Sequence, residues 1–292
     1  MSAVIVSRED AVAFRTVVLD FYAAHGRVFP WRVTRNPWSI LVSEIMLQQT
    51  QTHRVEPKYT AWMQRFPDAA SLARAPVRDV FEAWKGLGYN SRALRLKQTA
   101  VACMELYAGQ PPADEKLLLE LPGIGKYTAR AILAFAYGIP SALLETNIRT
   151  ALIFHFFRGH EKIRDRELEA TAEAVLDRSD PRTWYQALMD YGAWLKKMEP
   201  DSGRKAAVYA KQSRFEGSVR QARGIILKTL IEKPGMDLAV FAAESGFEYR
   251  RLDAAVRGLS RDGLIQIKDG LVRFSGEETT AGKSEAEHPA SL

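Results

Sequence analysis

Cysteine is almost missing from this sequence, since Cys103 is the only one among 292 residues. A disulfide needs two cysteines and a cysteine-ligated metal cluster needs several, so neither can form within the chain. The five histidines are scattered, and none pairs with a carboxylate at the spacing of metal ligands. His155 and His160, in HFFRGH, are interpreted as a helix-end and loop pair rather than as ligands. We therefore expect no metal ion bound by these side chains.

Long apolar runs are missing as well. No stretch of about 18 apolar residues suggests a membrane span, and the first residues show no basic segment followed by an apolar run. We therefore expect a soluble cytoplasmic protein with no membrane partner.

The formal charge is +6 and the pI is near 9.3. Residues 276–292 contain four glutamates and one lysine, a net charge of −3, so residues 1–275 carry +9. A field of this sign suits a polyanionic partner, although many ordinary enzymes are also basic.

Helical periodicity dominates up to about residue 215, and no convincing alternating strand occurs there. Prolines fall between the periodic segments, where helices begin or end. This pattern predicts an all-α domain of roughly ten helices over residues 1–199, followed by a linker at 200–216. After two apolar helices within 14–21 and 40–47, the predicted helices lie near 54–66, 77–84, 90–108, 124–137, 146–157, 165–177 and 181–196.

The C-terminal part shows a different order of elements. Helices are predicted at 219–232, 237–245 and 248–262, and the segment LIQIKDGLVRF follows them. Its residues Ile265, Ile267, Leu271 and Arg273 alternate around Asp269-Gly270, a two-residue hairpin signal. Three helices and a hairpin predict a winged helix over 217–275, with a small α+β oligomerisation module as the alternative. The acidic tail, 276–292, is expected to be disordered.

The segment LPGIGKYTARA, residues 121–131, places two glycines at the start of an apolar helix. Gly123 and Gly125 allow a tight turn and leave the first amide groups of the helix bare. Such amides lie at the positive end of the helix dipole and form a phosphate-sized anion site. The alternative is a simple corner between two helices, in which the glycines serve geometry alone.

Three motifs, of which this segment is one, together resemble a known protein family. LPGIGKYTARAILAFAYG closely resembles the helix-hairpin-helix of the DNA glycosylase superfamily that includes endonuclease III. FPWR (29–32) and NPWSILVSEIMLQQTQ (36–51) resemble the N-terminal signature of its MutY-like branch. WKGLGYNSRALRLKQTA (84–100) is similar to a further DNA-facing segment of that branch. The likeness spans residues 25–195 and implies the all-α helix-hairpin-helix glycosylase fold.

Glu44 is the first candidate catalytic residue. Removal of a base leaves an oxocarbenium-like sugar, so the base needs a proton and the sugar needs a nearby anion. Glu44 lies within the otherwise apolar stretch SILVSEIML, where a raised pKa is expected. The resemblance implies that it is the general acid–base. The alternative is a helix carboxylate that caps backbone amides.

Glu145, in LLETNIRT, is the second candidate. The family usually has aspartate at this position, and here the side chain is one methylene longer. The carboxylate pair is retained, but its geometry against the sugar must differ. A helix N-cap is the alternative role, although glutamate caps poorly and Thr146 could take over the cap. Asn147, in the same motif, is expected to contact DNA.

The two residues after Gly125 cannot both face the site, because neighbours on a helix point about 100° apart. The resemblance places Tyr127 where endonuclease III-like enzymes have a lysine that forms a Schiff base with the sugar. Tyrosine cannot form an imine, so the sequence predicts a monofunctional glycosylase with Tyr127 in the site. Lys126 is then a phosphate contact or a solvated side chain.

The resemblance implies further DNA contacts. Gln48 and Gln49 resemble wedges that enter the duplex, with a solvated helix end as their alternative. Tyr89 resembles the intercalating aromatic residue, with ordinary packing as its alternative. Three cations after it are expected to meet phosphates: Arg92, Arg95 and Lys97. The motif also allows a monovalent cation at the hairpin.

Two features of the family are missing. No cysteine follows MDYGAWLKK (189–197), where the four-cysteine iron–sulfur loop should be, so the cluster is expected to be lost. The winged helix replaces the Nudix-like domain that reads 8-oxoguanine. The expected activity is removal of adenine mispaired with guanine or 8-oxoguanine from double-stranded DNA, by a monomer. The alternatives are removal of thymine, uracil or hypoxanthine, or a non-catalytic DNA-binding regulator.

Overall fold

The structure, a computed structural model, describes residues 5–199, 216–233 and 235–276. Residues 5–199 contain twelve α-helices and no strand, which confirms the predicted all-α domain. A π-helical turn, Leu133–Tyr137, continues α9. The helices are α1 Arg8–His25, α2 Pro30–Val33, α3 Pro37–Leu47, α4 Thr52–Arg65, α5 Ala69–Arg74, α6 Val77–Trp84, α7 Ser91–Leu106, α8 Glu115–Glu120, α9 Lys126–Ile132, α10 Thr146–Phe156, α11 Asp165–Val175 and α12 Pro181–Met198.

Local sequence explains where several helices begin. Pro30, Pro37 and Pro181 each occupy the first turn of a helix, where their missing N–H group costs nothing. The Asn36 side chain accepts from the amide of Ser39 at 2.9 Å and so caps α3. None of the helices in the described ranges is long and apolar enough to cross a lipid bilayer.

Contacts divide the chain into two compact units, Met1–Arg74 with Arg95–Ser213 and Ala75–Leu94 with Arg214–Leu292. Helix α7 begins in the second unit and continues in the first. The predicted domain boundaries stay a prediction, but residues 75–94 group with the C-terminal elements, which local periodicity did not indicate. The predicted linker residues 200–215 and tail residues 277–292 lie outside the described residues.

Helix α12 is central to the first unit, where it packs against α1 and α10. Trp184 and Tyr185 on α12 are fully buried, as are Trp38 and Trp62 elsewhere in this unit. Gly192 marks the closest approach to α10. A Cβ atom at Gly192 would lie 2.0 Å from the carbonyl oxygen of Asn147, so a side chain there would collide with backbone.

A buried carboxylate joins α12 to α2 and to the segment that precedes α2. Asp190 is 3% exposed and accepts hydrogen bonds from Arg27 and Arg32 at 2.6–2.9 Å. The backbone amide of Arg27 adds a further bond at 2.8 Å. Burial alone would raise the pKa of Asp190, but the bonds from the two arginines hold it below its ordinary value of 3.8.

The second unit contains α6 and six C-terminal elements. These are α13 Val219–Glu232, β1 Met236–Asp237, α14 Leu238–Ser245, α15 Tyr249–Arg261, β2 Ile265–Lys268 and β3 Leu271–Phe274. The strands form an antiparallel sheet of order β1-β3-β2. Three helices and a hairpin occur in the predicted winged-helix order, and the two-residue strand β1 was not predicted because it is too short to show alternation.

The Asp269-Gly270 turn forms as predicted, with positive φ at both residues and Lys268 paired with Leu271. The expected set of alternating residues was wrong in one respect. Cross-strand partners share a face, so a two-residue turn places Ile265 and Ile267 on the side of Phe274 and Val272, not of Leu271. Val272 and Phe274 are buried, whereas Ile267, on an edge strand, is 61% exposed.

Helix α6 packs against α13 within this unit. The rings of Phe81 and Phe274 stack with centroids 5.5 Å apart. Arg78 donates to the carbonyl oxygens of Leu230 and Ile231 at 3.2 and 3.3 Å. These oxygens belong to the last turn of α13, where carbonyl groups have no partner within the helix. Residues 75–94 therefore belong to the same core as the C-terminal helices.

We predict that Asp190→Asn lowers the free energy of unfolding by about 3 kcal/mol, because it leaves two arginines without their buried partner. Since the folded pKa is depressed, the difference from wild type should be full above about pH 5 and shrink as pH falls below 3.8. Urea denaturation between pH 3 and 7 measures it. Asp20→Asn, at an exposed position on α1, is the control and should change little. An equal loss at all pH values would contradict the role of the charge.

Candidate functional site

A cavity of about 1010 Å³ lies in the first unit and contains both candidate carboxylates. Its walls come from α2, α3, α9, α10, α12 and the residues that follow α3. Glu44, Tyr127 and Glu145 all line it, together with Gln48, Gln49 and Asn147. Glu44 and Glu145, which are 101 positions apart in the sequence, are thus brought to one site. Four cations that the sequence analysis did not select also line it: Arg27, Arg32, Lys196 and Lys197.

Glu44 lies in the middle of α3, a helix whose residues from Ile40 to Met46 are all buried. Its own exposure is 6%. Burial raises the pKa of Glu44 to about 7, a hydrogen bond from Tyr127 and the charge of Arg32 oppose the rise, and the negative charge of Glu145 adds to it. A carboxyl group with this pKa exchanges a proton readily at neutral pH, as a general acid–base must.

Tyr127 is the side chain of the hairpin helix that faces the cavity. Burial and the charges of Glu44 and Glu145 raise its pKa well above 10. The phenol therefore keeps its proton and donates a hydrogen bond to the Glu44 carboxylate. Lys126 points elsewhere, is 53% exposed and pairs with Glu169 at 2.8 Å. The arrangement agrees with the expected 100° separation of these neighbours.

Glu145 is the N-cap residue of α10. Its Oε1 atom accepts from the amides of Asn147 and Ile148 at 2.8 and 2.9 Å. The suggestion that Thr146 takes over the cap was wrong, because the longer glutamate side chain folds back far enough to reach both amides. Since both bonds use Oε1, the second oxygen is left for chemistry in the cavity.

The environment of Glu145 contains opposing effects. Burial has the largest effect and raises the pKa of Glu145 above its ordinary value of 4.5, although the two amide hydrogen bonds and the charges of Lys196 and Arg149 act in the opposite direction. All the opposing groups favour the ionised form of the carboxyl group. The first turn of α10 is fixed by the contact between Asn147 and Gly192, so α12 determines where this carboxylate lies.

The hairpin glycines differ in what they require. Gly123 has φ +82°, and a Cβ atom there would lie 3.0 Å from the side chain of Arg95. Gly125 has an ordinary φ and open space around it, at the N-terminus of α9. Gln48 bonds weakly to the hairpin, donating to the Thr128 hydroxyl at 3.3 Å. A phosphate or a monovalent cation at this hairpin stays a prediction.

Two predicted phosphate contacts, Arg92 and Lys97, donate to carbonyl oxygens of the protein, and their roles at DNA stay predictions. Arg92, in the second unit, is 7% exposed and donates to the carbonyl oxygens of Leu87 and Gly88 at 3.2 and 3.1 Å. Lys97, in the first unit, donates to the carbonyl oxygens that end α5. Sequence position showed that these cations lie on a basic helix, but it could not show that they turn inward. Arg95 is exposed, as a phosphate contact should be.

Two residues that are predicted to enter the DNA duplex, Gln49 and Tyr89, adopt an uncommon backbone conformation. Gln49 has φ +54° and Tyr89, in the second unit, has φ +47°. Non-glycine residues seldom adopt this region, and such strain is concentrated at functional sites. Their roles at DNA stay predictions. Helix α15 carries four exposed arginines: Arg250, Arg251, Arg257 and Arg261.

No group of three or more histidine, cysteine and acidic side chains in the described ranges is placed to hold a metal ion. Cys103 is buried, and burial raises the pKa of its thiol to about 11. One cysteine cannot supply the four thiolates of an iron–sulfur cluster, so the residues of this chain do not fit that group.

We predict that Glu44→Gln stabilises the protein relative to wild type as pH rises. A raised folded pKa means that wild type loses stability between the ordinary value, 4.5, and about 7, whereas glutamine does not titrate. The variant's advantage should grow by about 2 kcal/mol between pH 5 and 8, which urea denaturation can measure. Glu120→Gln, at an exposed position, is the control. A pH-independent difference would show that Glu44 ionises normally.

Several known proteins are similar to this chain in sequence and in fold. Residues 42–200 match the HhH-GPD superfamily of base excision DNA repair proteins. Over 287 residues the chain is 33% identical to the adenine DNA glycosylase of Mycolicibacterium smegmatis, which covers 90% of this chain and 96% of that protein. It is 30% identical over 183 residues to a thymine/uracil-DNA glycosylase of Methanothermobacter thermautotrophicus, covering 62% and 83%.

A solved structure agrees with these matches. The structure of a thermostable thymine-DNA glycosylase superposes with a TM-score of 0.57 at 28% identity, covering 63% of this chain and 87% of that one. The matched residues include both cavity carboxylates and the hairpin. By the extent of these matches, the chain belongs to the HhH-GPD superfamily of base excision DNA repair proteins.

Proposed function

We propose that this protein is a monofunctional DNA glycosylase that hydrolyses the N-glycosidic bond of adenine mispaired with guanine or 8-oxoguanine. One observation carries the proposal. Glu44 and Glu145 line the same cavity, and the hydroxyl of Tyr127 bonds to the carboxyl group whose pKa is about 7. A DNA-binding regulator would gain nothing from two desolvated carboxylates in one cavity, because their charges repel phosphates.

The reaction needs a proton on the departing base. Glu44, protonated in part at neutral pH, donates it to a ring nitrogen of adenine as the bond from nitrogen to C1′ breaks. The base leaves with the bonding electrons, and the sugar becomes a cation. The Glu44 carboxylate then accepts a proton from the water that adds to C1′, which restores the starting state. Tyr127 orients this carboxylate through its hydrogen bond.

The sugar cation needs a fixed negative charge. Glu145 supplies it, since its ionised form is favoured by the two amide bonds of its cap and by Lys196. A preoriented anion of this kind stabilises the transition state more than the neutral ground state. The two glutamates therefore have different roles that follow from their surroundings: an apolar helix interior for one and a helix N-terminus for the other.

Adenine is favoured over other bases by the relatives rather than by the carboxylate pair alone. The relative from M. smegmatis, named adenine DNA glycosylase, matches along 90% of this chain. Removal of thymine or uracil is the second candidate, supported by the thymine/uracil-DNA glycosylase and the thymine-DNA glycosylase structure. Double-stranded DNA is the proposed partner, and the chain acts on it as a monomer without an iron–sulfur cluster.

We predict that Glu145→Gln lowers single-turnover base release at least about a hundredfold, because it removes the charge that stabilises the sugar cation. The amide oxygen of glutamine can still accept the cap bonds, so unfolding should change little. Glu145→Asp is the matched variant, which retains the charge and restores the usual family residue, and it should remain active. An unimpaired glutamine variant would reduce Glu145 to a structural cap.

No strand cleavage should accompany base release, since Tyr127 cannot form an imine with the sugar. Borohydride added during the reaction is therefore expected to trap no covalent complex of protein and DNA. Lys126, ion-paired with Glu169, is the nearest amine in sequence. An adduct that forms with wild type and disappears in Lys126→Ala would contradict the assignment of Tyr127 to the cavity.

The decisive test of the function is a panel of duplexes with adenine, thymine, uracil or hypoxanthine opposite each partner base, with alkali to reveal abasic sites. Adenine opposite guanine or 8-oxoguanine should be released, and Glu44→Gln should bind these duplexes while releasing at least about a hundredfold less. Release of thymine or uracil but not of adenine would favour the second candidate. Tight binding without any release would favour the regulator.

A further inference from the structure

The loop between α6 and α7, residues 85–90, is held in a fixed shape within the second unit. The indole nitrogen of Trp84 donates to the carbonyl oxygen of Gly88 at 3.0 Å. Arg92 donates to the same oxygen and to that of Leu87. Gly86 and Gly88 have positive φ, and Tyr89 follows them with φ +47°. The loop therefore projects Tyr89 in one direction at a cost in backbone strain.

A residue 131 positions later in the sequence holds the ring of Tyr89. Arg220, in the first turn of α13, donates to the Tyr89 hydroxyl at 3.1 Å. Its guanidinium carbon lies 5.6 Å from the ring centroid, the same distance as that of Arg92. A donor at the hydroxyl and cations near the ring restrict both side-chain torsions of the tyrosine.

Contacts with α6 hold helix α13, and with it Arg220, close to this loop. Its last turn is bound by Arg78 of α6, at the carbonyl oxygens of Leu230 and Ile231. The sheet that follows contributes Phe274, which stacks on Phe81 of α6. Helix α6, which leads into the Tyr89 loop, therefore contacts both α13 and β3. The packing of this unit thus sets the distance from Arg220 to Tyr89.

We propose that Arg220 is a positioning residue through which the C-terminal elements orient Tyr89 for insertion beside the mispair. The inference rests on the proposed function, because it takes Tyr89 to meet DNA. An aromatic ring that is already oriented loses less conformational freedom when it stacks between bases. The winged helix then contributes to mismatch selection through one side chain of the loop, in addition to any phosphate contacts of α15.

The test is a double-mutant cycle in the full-length chain with Arg220→Met and Tyr89→Phe. Arg220→Met keeps the length of the side chain without its charge, and Tyr89→Phe removes only the hydroxyl. The probe is a duplex with non-cleavable 2′-fluoro-2′-deoxyadenosine opposite 8-oxoguanine and 2-aminopurine next to the 8-oxoguanine. Its fluorescence reports unstacking, and anisotropy of an end label gives the affinity for this duplex and for a fully paired one.

Each single variant should lower affinity for the mispaired duplex by about tenfold, the factor that one hydrogen bond from a charged donor is worth. Each should also reduce the 2-aminopurine signal, and the double variant should be no worse than either single one. Affinity for the paired duplex should change less than about twofold. Arg250→Met, at an exposed position on α15, is the control and should weaken both duplexes equally.

Additive effects of the two variants on affinity for the mispaired duplex would overturn the inference. An equal loss of affinity for paired and mispaired duplexes after Arg220→Met would also overturn it, because such a loss is the mark of a phosphate contact. If Arg220→Met lowers the melting temperature, Tyr89→Phe alone must still reduce the 2-aminopurine signal, and an unchanged signal overturns the inference. Failure of the proposed function is distinct. Wild type would then release no adenine from the cleavable duplex, while the coupling between Arg220 and Tyr89 in binding could still be present or absent.

Discussion

The buried carboxylate of Asp190 is the constraint on which the candidate site depends. It is bound by Arg27 and Arg32, so it fixes α2 and the segment before it against α12. Arg32 also lines the cavity and lowers the pKa of Glu44. Two residues further along α12, Gly192 touches the backbone of Asn147 and fixes the first turn of α10. One short stretch of α12 thus sets the surroundings of both glutamates.

The two glutamates are chemically alike and are made different by backbone structure. Glu44 lies within a helix, where the amides are already bonded to carbonyl groups, so burial dominates and its pKa rises to about 7. Glu145 lies at a helix N-terminus, where free amides bind its Oε1 atom and oppose the effect of burial. Burial raises the pKa of both carboxyl groups, and at Glu145 the backbone amides oppose that rise. The proposed roles, general acid for Glu44 and anion for Glu145, therefore follow from the positions of the two residues in their helices and not from the residue type.

Local sequence predicted much of this arrangement. The apolar run around Glu44 indicated its burial, the prolines indicated helix starts, and Asp269-Gly270 indicated the hairpin. What local sequence did not indicate depends on contacts between distant segments. Arg92 turns inward because carbonyl groups of a glycine-rich loop need donors. The assignment of residues 75–94 to the C-terminal unit depends on contacts such as that of Phe81 with Phe274, which periodicity cannot show.

The C-terminal end of α12 contributes charge to the candidate site. The last turn of α12 contains Lys196 and Lys197, and both line the cavity. Lys196 lowers the pKa of Glu145, so its charge favours the anion that the sugar cation requires. The helix dipole acts in the opposite sense, since the C-terminus of α12 is its negative end, and two lysines there compensate it. Lys196 therefore stabilises both the end of α12 and the ionised form of the Glu145 carboxylate.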